Sequence, residues 1–228
     1  MNKCNQCIVH KFNSLKVLTK EELCRVSKSK TSKIIKKGEV IFEEGKHVNG
    51  VFCIEEGVCK VSKKSDNGRD QILLLVKEGS LLGERSLIND EVSNLKATAV
   101  SDMKVCFIPK KEVVRNLKMN PNFTLNVLKK MALSIKKTDN IIVDMAQKTA
   151  KQRLASTLIY LDENIEKDSE GDIGIQLSRE DFANIIGSAT ESVIRFLSEF
   201  KKKGIINLKR KQIFILEALK LEQIAQGF

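Results

Sequence analysis

The chain has 228 residues, 42% of them hydrophobic and 30% charged, and 40 Lys/Arg against 29 Asp/Glu give a formal net charge of +11. That apolar content supports a buried core and excludes a disordered tail protein, and the length suits one large domain or two small ones. No apolar run approaches the roughly 18 residues of a membrane span. The opening Met-Asn-Lys-Cys-Asn-Gln-Cys lacks the apolar stretch of a secretory signal, so a cytoplasmic protein that engages no membrane is expected. The six cysteines are then reduced thiols rather than a disulfide framework. The basic excess points to a polyanion such as nucleic acid, or to a lysine-rich solvated surface.

Residues 1–30 read as polar helix with a sparse apolar stripe of Leu15, Leu18, Leu23 and Val26. From Ile34 to Ile108 the texture changes to short β-rich runs: Val40–Phe42, Val51–Ile54, Val58–Val61, Ile72–Val76 and Val105–Ile108. Turn signals separate them, among them Lys37-Gly38, Glu44-Gly45, Asn49-Gly50, Glu56-Gly57, Asn67-Gly68 and Glu78-Gly79. Strands of this length at this spacing predict an antiparallel sandwich or barrel. Pro109 closes the region, Lys110 to Leu117 reads as a short helix, and a long helix follows from Pro121 to about Gln147.

In that long helix Leu128, Met131, Ile135, Thr138, Ile142 and Met145 step by three and four in alternation, the heptad seam of a two-stranded coiled coil. The helix could instead lie on its own barrel, but Lys129, Lys130, Lys136 and Lys137 make the opposite face too polar to bury. A homodimer is expected. Gln152 to Ile165 then reads as a helix with Leu154, Leu158, Ile159 and Leu161 apolar, and the polar stretch from Glu166 to Gly174 as a loop.

A compact block carries the chemistry. Ser178 is a good N-cap with Asp181 as its capping-box partner, and Gly187 supplies the left-handed residue that a tight helix–helix turn needs. Ala183 is small where a second helix must cross closely. That second helix, about Ala189 to Lys203, buries Val193, Phe196, Leu197 and Phe200 and presents Thr190, Glu191, Ile194, Arg195 and Ser198. Two helices joined by a glycine turn, the second with a polar outer face, have the texture of a helix-turn-helix able to enter a major groove. An ordinary helical hairpin with a Glu191–Arg195 surface pair is the plainer reading. Two short β runs follow, flanking Lys209-Arg210-Lys211, as a basic wing suited to phosphate. From Arg195 to Lys211 there are seven Lys/Arg and one acid, so the charge concentrates where DNA would lie.

Barrel, long helix and winged helix-turn-helix, in this order, resemble the Crp/Fnr family of bacterial transcription regulators over essentially the whole chain. The most specific matches are Leu81-Leu82-Gly83-Glu84 in the barrel and Leu177-Ser178-Arg179-Glu180 through Thr190-Glu191-Ser192-Val193-Ile194-Arg195 in the second domain. The resemblance implies an α+β chain: an N-terminal jelly-roll barrel domain of the cyclic-nucleotide-binding type over 1–120, a dimerisation helix over 121–147 and a winged helix-turn-helix over 148–228. It implies double-stranded DNA and RNA polymerase as partners. Thr190, Glu191, Ile194 and Arg195 would read bases, and Ser178, Arg179, Ser188, Lys201, Lys202 and Lys211 would contact phosphate. An effector pocket would involve Gly83, Glu84, Lys96 and Thr138.

Two cofactors follow from the same resemblance. The cyclic-AMP-binding branch places an arginine about ten residues after its Gly-Glu pair to neutralise the cyclic phosphate. Here that segment reads Glu91-Val92-Ser93-Asn94-Leu95-Lys96-Ala97, with only Lys96 as a cation and no bidentate fork, which argues against cyclic AMP and for Gly83-Glu84 as a structural turn. The oxygen-sensing branch holds a [4Fe–4S] cluster. Cys4, Cys7 and Cys106 match three of its ligands, but Asn13 stands where the remaining N-terminal cysteine would be, and His10 or Cys24 lies off the family spacing. Cys53 and Cys59 read as strand or core residues. With only His10 and His47 available, nothing selects haem.

The reading is thus a DNA-binding regulator, the alternative being a cyclic-nucleotide-binding module that acts on a protein partner without DNA. The chain carries no nucleophile–base pair, P-loop or dinucleotide fingerprint, so no enzymatic activity is expected.

Overall fold

The computed structural model describes residues 14–165, 175–209 and 212–228. These residues form two compact units, one from 14–64 and 73–135, the other from 65–72, 136–165, 175–209 and 212–228. Among the described residues no helix is long and apolar enough to cross a membrane.

In the first unit a 3-10 turn at Ser14–Val17 precedes helix α1 (Lys20–Ser29), which a Thr19/Glu22 capping box starts. The strands are β1 (Thr31–Ile35), β2 (Val40–Phe42), β3 (Gly50–Glu56), β4 (Val58–Lys64), β5 (Asp70–Lys77), β6 (Leu81–Leu82), β7 (Lys96–Ala99) and β8 (Met103–Pro109), with helix α2 (Glu84–Asn89) between β6 and β7. They form two four-stranded sheets, in the orders β1-β8-β3-β6 and β2-β7-β4-β5. Helix α3 (Lys110–Met119) and helix α4 (Pro121–Gln147) follow. The β-rich region thus begins at Thr31, three residues before the pattern suggested. Leu81–Leu82, Lys96–Ala99 and α2 are too short for periodicity to announce.

The two sheets enclose one core. Phe52, Ile54, Leu82, Met103 and Val105 from the first meet Cys59, Val61, Ala97 and Ala99 from the second. The ring of Phe52 lies 5.0 Å from that of Phe107 and 6.4 Å from that of Phe42. The first sheet is covered on its other face as well. There Val51, Cys53, Cys106 and Ile108 pack against Leu23 and Val26 of α1, Val113 of α3, and Phe123 and Val127 of α4. Consecutive buried residues from Gly50 to Ile54 are the consequence, since both faces of the strand are dry.

Helix α4 runs from Pro121 to Gln147, close to its expected span. Phe123 and Val127 are buried, whereas Leu128, Ile135 and Ile142 stand 55%, 63% and 61% exposed. Two details depart from the seam as read. Met131 is partly packed against its own chain's core, and Lys130 is half-buried rather than on an outer polar face. Both follow from the roughly 100° per residue of a helix, which turns positions 130 and 131 toward the side of Val127.

In the second unit lie helices α5 (Ala150–Asn164), α6 (Arg179–Ile186) and α7 (Thr190–Lys202), the hairpin of β9 (Ile206–Lys209) and β10 (Gln212–Ile215), and helix α8 (Ala218–Gln226). Its interior collects Leu154, Leu158, Leu161, Phe182, Ile186, Val193, Leu197, Phe200, Ile206, Ile213 and Leu221. Ile159 is half-buried, and the stretch read as a loop from Glu166 to Gly174 lies outside the described residues.

Gly83 N-caps α2 with φ of +90°, and a Cβ there would stand 2.9 Å from Val48 Cγ1 and 3.1 Å from the Gly50 carbonyl oxygen. Gly83→Ala is expected to cost about 1–3 kcal/mol from the left-handed backbone alone. The check is a lower urea midpoint at unchanged slope. A midpoint equal to the parent's contradicts this account of the turn.

Candidate nucleic-acid interface

Ser178 caps α6 as its sequence predicts. Its Oγ accepts from the Asp181 N–H at 2.9 Å, while the Asp181 carboxylate accepts from the Ser178 N–H at 3.0 Å. The helix ends at Gly187, which has φ of +61° and whose N–H donates to the Ala183 carbonyl. Ser188 and Ala189 complete the turn, and α7 starts at Thr190. Phe182, Ala183 and Ile186 of α6 and Val193, Leu197 and Phe200 of α7 are buried, so the two helices meet across a small residue at the crossing.

The other face of α7 is open. Glu191, Ile194, Arg195 and Ser198 are exposed, and Thr190 is half-exposed at the first turn. Phe196, read from sequence as a core residue, is only half-buried. It lies at the edge of the apolar stripe, and its ring carries the Arg195 guanidinium 5.3 Å above its centroid. Ser188 is half-exposed, and Lys201 and Lys202 are exposed in the last turn of α7.

Arg179 is the first residue of α6. Its Nη1 is buried without a hydrogen-bond partner among the described residues, and burial lowers its pKa. In the wing, Lys209 pairs with Gln212 across the hairpin, while Arg210 and Lys211 lie outside the described residues.

Sequence reading missed the groups that brace α7. Glu199 accepts from Lys151 Nζ of α5 at 2.6 Å and from Lys203 Nζ at 2.9 Å, and the two ammonium groups hold its carboxyl down to about 2. Arg153 of α5 donates to backbone carbonyls, including that of Ile186 at 2.7 Å. The Glu199–Lys203 pair is a local i,i+4 spacing, but the Lys151 partner is long-range and the Arg153 contacts end on main-chain atoms, so neither brace shows as a motif.

In the first unit, Gly83 and Glu84 sit at the start of α2. Glu84 lines a cavity of about 20 Å³, room for roughly one water, otherwise bounded by such residues as Leu15, Val26, Leu81, Ile108 and Phe123. Burial pushes the Glu84 carboxyl up and the ammonium of neighbouring Lys130 down. Lys96 does not join them. It opens β7, whose Ala97 and Ala99 point between the sheets, so alternation turns Lys96 outward from the second sheet, away from the helix-covered side of the first. Arg85 is engaged elsewhere, donating from Nη2 to Ser134 Oγ at 2.6 Å. Among the described residues the guanidinium nearest Glu84 in the chain is that of Arg85, and it is engaged with Ser134, so these residues do not present the Glu-plus-free-Arg pair expected for a cyclic nucleotide. Thr138 is exposed on α4.

Cys106 is buried on β8. Its Sγ donates to Glu55 Oε1 at 2.7 Å and lies 3.4 Å from Lys30 Nζ and 3.6 Å from Ser32 Oγ. The thiol thus sits between a carboxylate and an ammonium group. Cys4, Cys7 and His10 lie outside the described residues, and no three His, Cys, Asp or Glu among the described residues are grouped to hold a metal. The described residues therefore do not assemble a cluster site. Cys53 and Cys59 are buried strand residues.

Comparison with known proteins matches residues 32–120 to the cyclic nucleotide-binding domain and residues 152–224 to the Crp-like helix-turn-helix domain. The chain is 26% identical over 200 residues to the transcriptional activator protein anr of Pseudomonas aeruginosa, covering 87% of this chain and 82% of that protein. It is 29% identical over 189 residues to the anaerobic regulatory protein of Bacillus subtilis, covering 82% and 79%. Among solved structures, FixK2 from Bradyrhizobium japonicum superposes with a TM-score of 0.76 at 22% identity, covering 86% of this chain and 96% of that one. A CRP/FNR-family transcriptional regulator from Thermus thermophilus gives 0.73 at 21% identity, covering 86% and 99%.

The Glu199 cluster sets a pH dependence. A carboxyl near 2 in the fold against about 4.5 ordinarily contributes stability that is full above 4.5 and is lost as pH falls toward 2. Glu199→Gln should therefore lower the melting temperature at pH 7, with the gap to the parent narrowing below pH 4.5. A gap independent of pH over that window contradicts the ion-pair account.

Proposed function

The chain belongs to the Crp/Fnr family and is a DNA-binding transcription regulator, and from that premise we propose that it acts as a homodimer on a palindromic promoter site. In this reading residues 1–120 form the sensory domain, 121–147 the dimerisation helix and 148–228 the DNA-binding domain. The observation that carries it is the open face of α7, where Glu191, Ile194 and Arg195 stand exposed opposite buried Val193, Leu197 and Phe200. A module acting only on a protein partner would have no use for that face.

Arg195 reaches guanine O6 and N7, Glu191 accepts from cytosine N4, and Ile194 offers apolar contact to a thymine methyl. Thr190 stands where the cyclic-AMP branch has a further base-reading arginine, so the half-site has a TTGA-type core with no demand for an outer G. Ser178, Arg179, Ser188, Lys201, Lys202 and Lys211 contact phosphates and set register. The partners are double-stranded DNA, a second copy of the chain and RNA polymerase, in the cytoplasm, and the protein has no catalytic activity of its own. The barrel answers to a signal other than cyclic AMP.

Binding-site selection from randomised DNA tests the assignment. Arg195→Ala is expected to cost about 1–3 kcal/mol at the cognate site and to relax preference at one base pair. Lys202→Ala should instead weaken all sequences alike and flatten the dependence of affinity on salt. An unchanged selected motif for Arg195→Ala would show that α7 does not read the site as assigned.

The dimer reading rests on the exposed stripe of Leu128, Ile135 and Ile142. Ile135→Glu places a carboxylate of each chain in a desolvated seam and should cost about 3–5 kcal/mol. Sedimentation at micromolar concentration should then show monomer. A variant that stays dimeric refutes the seam.

A further inference from the structure

Arg153 is held by backbone alone in the contacts that define its guanidinium. Nε donates to the Ile186 carbonyl at 2.7 Å, and Nη1 donates to the carbonyls of Lys148 at 2.5 Å and Met145 at 3.3 Å. These acceptors belong to the ends of two different helices. Met145 lies in the last turn of α4 and Lys148 just beyond it, and Ile186 is the last residue of α6, immediately before the Gly187 turn. Carbonyls at helix C-termini lack intrahelical donors and carry the negative end of the helix dipole. One cation closes both ends.

The placement matters because α4 and α5 are separate helices. Thr149 starts α5 with its own capping box to Gln152, so Lys148 and Thr149 form a break in what would otherwise be one rod. Left to the chain, that break would let α5 to α7 swing about the end of α4. Lys148 Nζ spans the break through Asp144 Oδ2 at 3.0 Å and Ser156 Oγ at 3.2 Å, but it reaches only α4 and α5. Arg153 also reaches the helix-turn-helix itself. A lysine could not do the same, because a compact ammonium lacks the planar fork that serves acceptors on two sides.

We propose that Arg153 is a positioning residue for DNA recognition: it fastens the turn between α6 and α7 to the end of the dimerisation helix, and so fixes the half-site spacing that the dimer accepts. The inference rests on the reading of a dimer on a palindrome. Each added base pair turns a half-site by about a tenth of a helical turn and moves it along the axis, so a rigid pair of recognition helices rejects a changed spacer. A loosened pair accepts it, while contacts within each half-site are untouched.

The test compares the parent, Arg153→Met and Arg153→Lys, all full-length. Fluorescence anisotropy would measure binding to the selected palindrome, to the same half-sites with one base pair added or removed, and to a duplex carrying one half-site. Sedimentation and thermal unfolding would accompany each variant. For the parent, a changed spacer should weaken binding about tenfold or more, as expected where geometry forbids simultaneous engagement. For Arg153→Met the penalty should shrink to within about threefold, with half-site affinity and the dimer retained, because only the rigid link between the two heads is lost. Arg153→Lys, the milder change, should relax spacing in the same direction and serves where the Met variant does not fold. A folded variant with the parent's full spacing penalty overturns the inference, even if its overall affinity is lower. A parent that binds one half-site as tightly as the palindrome overturns the palindrome reading, and this inference with it.

Discussion

Helix α4 carries more apolar surface than one chain covers, and the rest of the architecture is arranged around that fact. One side of its first half, Phe123 and Val127, closes the helical face of the first sheet. The adjoining stripe of Leu128, Ile135 and Ile142 stays in solvent in the single chain. A long helix with an exposed heptad stripe is stable only when something apolar covers it, and a second α4 offers the same repeat at the same spacing. In the proposed dimer the helix serves as core element and as interface at once, with Met131 and Lys130 between the two roles.

The sheet beneath α4 is constrained in a related way. Strands β3 and β8 are buried on both faces, one by the second sheet and one by helices. Polar groups caught on the helical face must find partners inside the protein. Cys106 finds Glu55, whereas Glu84 and Lys130 are each driven toward their neutral forms by burial. Cys106, Glu84 and Lys130 thus each carry the constraint of this interior.

In the second unit, helix ends do the positioning. Ser178 starts α6, Gly187 ends it, Arg153 closes the ends of α4 and α6 together, and Glu199 ties α7 to α5 through Lys151. The apolar stripe of α7 decides which face is buried, and these terminal contacts decide at what angle the open face is presented. The helix-end contacts and the apolar stripe are thus made by different residues.

Much of this was legible in the residues themselves. Local rules placed α4 from Pro121 to Gln147, the Ser178 cap and the Gly187 turn, because propensity, capping and hydrophobic period act over a few neighbouring residues. The order of elements sufficed for the family, and the exposed set Glu191, Ile194 and Arg195 followed from helical period alone. What the sequence left open were relations between distant positions. Strand alternation told that Lys96 and Ala97 face opposite ways, but which of them met the core depended on the partner sheet. Lys130, Met131 and Phe196 sit at the edges of their stripes, where a rotation of one residue separates buried from exposed. Arg153 and Glu199 act through a backbone carbonyl and a lysine dozens of residues away, contacts that no local pattern encodes. The sequence by itself determined the elements and their apolar faces, because those depend on neighbours along the chain; only the tertiary structure decided which helix ends and charges met, because that depends on neighbours in space.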